Sequence, residues 1–140
     1  MIDYTFTKPV TIDGQEILDL YQSVGWIAYT QQAANTLEAF ENSTVLWATQ
    51  NNKLVGLCRG ITDKKTILYI QDIIVAPKFQ RQQIGTNLVQ KFLNHYSNIG
   101  QTVLITDPED ATLLFYKSLG FLEVTPKEYG RAFVLERRFS

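Results

Sequence analysis

The sequence predicts an α/β (α+β) domain: a mixed, mostly antiparallel central sheet of six to seven strands with helices on both faces. Three observations carry this. Three β-prone segments follow one another without an intervening helix, at Thr44–Thr49, Leu54–Ile61 and Ile67–Val75, and consecutive strands of that kind pair antiparallel. A strand, an amphipathic helix and a second apolar strand then occupy residues 67–106, the order of a parallel crossover. Apolar residues at helical spacing appear before and after this block. The resulting order is β-α-α-β-β-β-α-β-α-β-β.

Each element has a local reason. Tyr4 and Phe6 alternate in an opening strand that ends before Pro9. Asp13-Gly14 precedes Ile17, Leu18, Leu20, Tyr21 and Val24 at helical spacing, and Gly25 closes that helix. Gln31–Phe40 reads as a second helix with Ala33, Ala34, Leu37 and Phe40 on one side. Asn51-Asn52 suits a hairpin turn, because Asn tolerates positive φ. Asp63-Lys64-Lys65 makes the next turn, before ILYIQDIIV, the most strand-like run of the chain. After Pro77, an amphipathic helix starts at Ile84 and carries Leu88, Val89, Phe92, Leu93 and Tyr96. Gln101–Thr106 is an apolar strand, and Leu113–Lys117 lies on a helix stopped by Gly120. Phe121–Val124 and Ala132–Arg138 are expected as a final strand pair.

At 140 residues the chain has the size of one domain, and 45% hydrophobic with 19% charged residues is ordinary for a globular protein. Net charge −1 and a pI near 5.8 argue against binding nucleic acid by charge. No apolar run is long enough to span a bilayer. MIDYTFTKPV lacks the basic start and apolar core of a secretory signal, and the single cysteine, Cys58, suits a reducing cytoplasm. A cytoplasmic location away from membranes is therefore expected. The lone His95 has no partners at ligand spacing, so no metal is expected. Cys58 reads as a small core residue.

The chemistry concentrates in residues 67–121. The strand Ile67–Val75 runs through Ala76-Pro77-Lys78-Phe79 and Gln80-Arg81-Gln82-Gln83-Ile84-Gly85 straight into a helix. Unpaired N–H groups and the positive dipole end of a helix start make an anion cradle, and Gly85 permits close backbone approach. Gln80 and Arg81 add side-chain donors. By itself, a strand–loop–helix with one glycine is a common arrangement.

VAPKFQRQQIGTNLVQKFL resembles the pyrophosphate-binding segment of the GCN5-related N-acetyltransferase (GNAT) superfamily, with Gln80 at its first position and Gly85 at its last. Gln83 stands where the family usually has its first Gly; in right-handed φ/ψ it would still offer its N–H. LFYKSLGF (114–121) is similar to the FYxxxGF signature that closes the same superfamily's active site. Glu109 occupies the place, seven residues before that Tyr, where the family commonly has Asn. The resemblance implies the acyl-CoA N-acyltransferase fold and acetyl-CoA as the acyl donor. It implies cofactor contacts from Ile73, Ile74 and Val75, from Gln80, Arg81, Gln82, Gln83, Ile84, Gly85 and Thr86, and from Glu109.

It also implies direct transfer of the acetyl group to a primary amine. The amine must be neutral to attack, the developing oxyanion needs donors such as the backbone of Ile73–Val75, and the departing thiolate must be protonated. Tyr116 is the candidate for that last step. Asp72, the only acid within the apolar strand, is the second catalytic candidate; it could instead pair with Arg59 across the sheet. In the similar polyamine acetyltransferases this stretch has two adjacent acids, and here the first is Gln71. Trp26 and Tyr29, where this superfamily builds its acceptor pocket, join Arg59 and Asp72 as candidate substrate contacts. Trp26 equally suits a role anchoring the two helices.

The acceptor expected from so short a chain is a small-molecule amine. A peptide or protein amine, or a non-catalytic acyl-CoA-binding module, are the alternatives. Dimerisation through the final strands is left open.

Overall fold

The computed structural model describes residues 1–138. The chain divides into two compact units, Met1–Ile105 and Thr106–Ser140.

The first unit holds β1 (Asp3–Thr5), α1 (Gly14–Ser23), α2 (Ile27–Gln31), α3 (Ala33–Glu41), β2 (Thr44–Gln50), β3 (Lys53–Thr62), β4 (Ile67–Val75), a 3-10 turn at Pro77–Phe79, α4 (Ile84–His95) and β5 (Gln101–Leu104). They form one five-stranded sheet in the order β1-β2-β3-β4-β5. β1, β2, β3 and β4 pair antiparallel, and β4 pairs β5 in parallel across the α4 crossover. The mixed, mostly antiparallel sheet is thus as expected. Asn51 and Asn52 both take positive φ in the β2–β3 turn, at 52° and 65°, as a two-residue hairpin of the observed strand twist requires. At the end of α1, Gly25 is left-handed at φ +80°. Its N–H bonds the Gln22 carbonyl at 2.9 Å and Trp26 N–H bonds Tyr21 at 3.1 Å, the paired closure that glycine permits.

Helices cover both faces of the sheet. On one, Ile17, Leu20 and Tyr21 of α1 pack with Val45, Trp47, Leu57 and Ile74. On the other, Cβ atoms added to Gly56 and Gly60 would meet Leu88 and Phe92 of α4. Leu88, Val89 and Phe92 are fully buried, each stabilising by about 1.5–3 kcal/mol over exposure.

The β4 strand changes faces midway. Gly60 pairs with Ile70 but Arg59 pairs with Asp72, so Gln71 is an extra residue, a β-bulge. A one-residue slip inverts the side-chain alternation. Leu68, beside Gly60 and Phe92, therefore lies on the α4 face, whereas Ile74 joins the α1 core.

In the fold, the structure departs from the sequence expectation at the second helix and in the strands. The expected second helix over Gln31–Phe40 is two helices, α2 and α3, broken at Gln32, whose φ −120°, ψ 57° is not helical. Among the described residues the sheet has five strands, not six to seven. In the second unit, made of α5 (Asp110–Ser118) and α6 (Pro126–Tyr129), neither Phe121–Val124 nor Ala132–Arg138 forms a strand. Pro126, preset for a first helical turn, starts α6 between them. Phe133, Val134 and Leu135 are exposed, and a β-prone run without a neighbouring strand has no ladder to join. Among the described residues no helix is long and apolar enough to cross a membrane.

Gly60 supplies a direct test of this packing. A Cβ there would lie 2.7 Å from the Tyr69 carbonyl oxygen. Gly60→Ala is expected to lower stability by about 1–3 kcal/mol in urea unfolding, the usual cost of overpacking.

Candidate functional site

The loop between β4 and α4 is built from unusual backbone. Arg81 and Gln83 adopt left-handed φ of 67° and 63°. Gln83 is the N-cap of α4 and is not right-handed as expected from the sequence. The left-handed conformation explains why a glycine suits this position: a side chain there costs roughly 1–2 kcal/mol. It also leaves the cradle intact. The first bond of the helix ladder runs from Asn87 N–H to the Gln83 carbonyl at 2.9 Å, so the N–H groups of Ile84, Gly85 and Thr86 precede it at the positive end of the dipole. The Gln80 amide donates to the Val75 carbonyl at 3.1 Å, tying the loop to the end of β4. Arg81, Gln82 and Gln83 are exposed around this open end.

Beside the loop, the two parallel strands part. The β4–β5 pairing stops at Ile70 opposite Leu104, while β4 runs on to Val75. Separation starts at the Gln71 bulge, where strand direction bends. The edge of β4 over Gln71–Val75, including Ile73, Ile74 and Val75, is not covered by β5. A sheet edge of this kind offers backbone donors and acceptors to an extended ligand.

On the α1 face, the bulge delivers a buried polar network. Asp72 is 1% exposed. Its Oδ2 accepts from Tyr21 Oη at 2.7 Å and from Arg59 Nε at 2.7 Å, and its Oδ1 accepts from Tyr29 Oη at 2.8 Å. Arg59 also donates to Ser43 Oγ at 3.0 Å and lies 5.4 Å over the Phe40 ring. Gln71 Nε2 donates to Tyr29 Oη at 3.1 Å. Burial first, then the Asp72 charge, pushes the Tyr21 and Tyr29 hydroxyls above the ordinary phenol range. Burial alone would lower Arg59, but the carboxylate reverses this, so the guanidinium is held charged more firmly than usual. The pairing of Asp72 with Arg59, one of the arrangements the sequence left open, is present.

Trp26 is 37% exposed and packs 6.1 Å from the Tyr21 ring and 6.0 Å from the Tyr29 ring. It therefore both borders the cluster and presents a face outward. Cys58 is fully buried, and its thiol is pushed up by burial and then by Asp72, consistent with a packing role. The sequence reading did not single out Tyr21 or Ser43. Tyr21 sat on the apolar face of its helix and nothing local distinguished it from a core aromatic.

The second unit carries Tyr116 and Glu109. Gly120 is left-handed at φ +95°. Gly120 N–H bonds the Lys117 carbonyl and Phe121 N–H bonds that of Tyr116, both at 3.1 Å. The Phe121 ring stands edge-on to Tyr116 at 5.7 Å. The FYxxxGF pattern is thus, physically, a glycine-closed helix end whose flanking aromatics touch. Tyr116 is half-buried. Glu109 is the N-cap of α5 and is exposed, with its N–H bonded to Asp107 Oδ1 at 2.9 Å.

A helix-start cradle thus stands at the end of a strand that parts from its parallel neighbour. Residues 15–135 match the family model of the acetyltransferase (GNAT) domain. The chain belongs to the GNAT acetyltransferase family. It is 33% identical over 110 residues to an uncharacterised N-acetyltransferase of Gracilaria tenuistipitata var. liui, covering 74% of this chain and 58% of that protein. It is 27% identical over 128 residues to an uncharacterised N-acetyltransferase of Pyropia yezoensis, covering 86% of this chain and 71% of that one. The chain thus spans little more than half the length of the first of these relatives. Its fold is similar to that of a GNAT-family acetyltransferase of Streptococcus pneumoniae TIGR4, with TM-score 0.75, 27% identity and 98% of each chain covered.

Two stability predictions follow from this geometry. Gln83→Gly is expected to raise stability by about 0.5–1 kcal/mol, because relief of the left-handed strain outweighs the added chain entropy; Gln83→Val should lower it. Arg59→Met should cost about 3–5 kcal/mol by leaving Asp72 buried without its cation, and Arg59→Met/Asp72→Leu should recover only part of that loss, because the Tyr21 and Tyr29 hydroxyls then lose their acceptor. Equilibrium urea unfolding measures both.

Proposed function

We propose that this chain is an acetyl-CoA-dependent N-acetyltransferase that transfers the acetyl group directly to a primary amine of a small-molecule acceptor. The observation that carries this is the parting of β4 from β5 at the Gln71 bulge, next to the open N-terminal end of α4. In this reading the N–H groups of Ile84, Gly85 and Thr86, with the Gln80–Gln83 loop, take the pyrophosphate of the donor. Their dipole and the side chain of Arg81 match its charge. The free edge of β4 over Ile73–Val75 takes the amide-bearing arm as an added strand would. The same edge offers N–H donors to the carbonyl oxygen as it gains charge.

The chemistry is an acyl exchange. The amine nitrogen bonds to the thioester carbonyl carbon, the C–S bond breaks, and the sulfur leaves as a thiolate that must gain a proton. Tyr116 is assigned to give that proton, since a phenol of ordinary pKa about 10 can donate to a thiolate and be recharged by solvent. Asp72 acts in this scheme by orienting Tyr29 rather than by touching the reacting atoms. The departures at Gln83 and Glu109 support a non-catalytic acyl-CoA-binding module only weakly. Gln83 already holds the left-handed backbone that a glycine there would favour.

Acetyl-CoA should stabilise the protein in a thermal shift experiment and release free CoA with an amine panel. Stabilisation without thiol release from any amine would favour the binding module instead. Tyr116→Phe is expected to keep the dissociation constant for acetyl-CoA and to lower kcat at least about tenfold, the smaller end of general-acid effects. An unchanged kcat would remove Tyr116 from the reaction.

A further inference from the structure

The proton directions around the Gln71 bulge are forced. Asp72, ion-paired with Arg59, can only accept. Tyr29 must therefore spend its single hydrogen on Asp72 Oδ1, at 2.8 Å. Gln71, 3.1 Å from that hydroxyl, must then present its NH2 group. Two acceptors are left beside the strand opening: the Gln71 Oε1 carbonyl, which has no partner among the described residues, and the remaining lone pair of Tyr29 Oη. Both residues are half-buried. Neither acceptor carries charge. The groups that face Asp72 from α1, α2 and β3 are Tyr21, Tyr29 and Arg59, and Cys58 of β3 also feels its charge. Within the first unit none of them is a free base. Arg59 is protonated, both phenols donate to Asp72, Cys58 is a buried thiol, and the Asp72 oxygens are occupied by three donors.

We infer that Gln71 and Tyr29 form the receiving site for the acceptor, and that the acceptor is a weakly basic primary amine, such as an α-amino group, bound in its neutral form. A neutral amine has two N–H donors to match two neutral acceptors, which leaves its lone pair free for the carbonyl carbon. An ammonium has no lone pair, and it finds neither a base nor an uncompensated negative charge at this site. The proton lost on amide formation leaves from the nitrogen to solvent, and the sulfur is protonated separately. Basicity then decides the substrate class. At pH 7.5 an amine of pKa about 10.4 is neutral in only about one molecule in 800, against roughly a third for an α-amino group of pKa about 7.7–8.0. The expected preference is therefore about two orders of magnitude.

The inference rests on the acetyltransferase reading, and the following experiment separates the two. CoA release is measured from pH 6.5 to 9.5 with two acceptors, the dipeptide Ala-Ala amide and Nα-acetyl-lysine amide. The expected result is a kcat/KM at pH 7.5 about a hundredfold higher for the α-amine. For the lysine-type amine it should climb about tenfold per pH unit, tracking the amine's own titration. Equal kcat/KM values, or a lysine-type profile that levels off near pH 7, would reveal an enzyme base and overturn the inference while leaving the acetyltransferase reading standing. No release from either amine, despite stabilisation by acetyl-CoA, would overturn the acetyltransferase reading and the inference with it. Gln71→Glu places a carboxylate at the receiving position. It is expected to raise the ratio of lysine-type to α-amine kcat/KM at least tenfold. An unchanged ratio would remove Gln71 from contact with the amine.

Discussion

One extra residue in β4 organises the first unit. Without Gln71 as a bulge, Ile70 and Asp72 would point to the same face, as residues two apart do in a regular strand. Asp72 would then enter the wholly apolar layer against Leu88 and Phe92, where nothing could compensate it. With the bulge, Ile70 pairs Gly60, whose open side meets Leu68 and Phe92. Asp72 pairs Arg59 and meets Tyr21 and Tyr29. The same irregularity ends the ladder with β5. A single backbone defect thus sorts the apolar residues from the charged one and leaves the edge of β4 beyond Ile70 uncovered by β5.

The ion pair so created also anchors its neighbours. A buried pair often contributes less than the apolar residues that could replace it, because desolvation offsets the attraction. Here Asp72 accepts three hydrogen bonds and fixes the hydroxyl of Tyr29 and, through it, the orientation of the Gln71 amide. Ser43 and the Phe40 ring hold Arg59 from the other side. Every buried side-chain polar atom among the described residues has a partner, which is the condition under which a buried network rigidifies its surroundings. The strained loop at Arg81 and Gln83 belongs with this. Left-handed side-chain-bearing residues persist where the surroundings over-determine them, and such positions cluster at binding sites.

Local signals and the sheet pairing implied by the order of elements could be read from the sequence. The Asn51-Asn52 turn, the Gly25 helix stop and the run of α4 from Ile84 each rest on a residue type whose backbone preference is strong, and each is present. The bulge could not be read, because ILYIQDIIV looks the same with either alternation. Leu68, Ile70, Asp72 and Ile74 are all buried, so the pattern reads as one regular strand although it serves two faces. Tyr21 was hidden for the same reason, since its partner Asp72 lies 51 residues away. The final strands failed in the opposite direction: Ala132–Leu135 has the composition of a strand, but composition does not supply a neighbour to pair with.

The two aromatic–glycine motifs show how far a motif goes without its surroundings. Tyr21-Gln22-Ser23-Val24-Gly25-Trp26 and Tyr116-Lys117-Ser118-Leu119-Gly120-Phe121 follow one pattern and close their helices with the same pair of hydrogen bonds. Their glycines are both left-handed and their aromatic pairs lie 6.1 and 5.7 Å apart. The backbone chemistry of the motif is therefore that of a helix stop, whatever else it does. What separates the two tyrosines is environment. Tyr21 is fully buried and donates a hydrogen bond to Asp72, and burial first, then the carboxylate, pushes its hydroxyl well above the ordinary phenol range. Tyr116 stays half-buried on a helix with no buried residue. Full burial and the Asp72 carboxylate thus set the hydroxyl of Tyr21 apart from that of Tyr116, although the two helix stops share one backbone geometry.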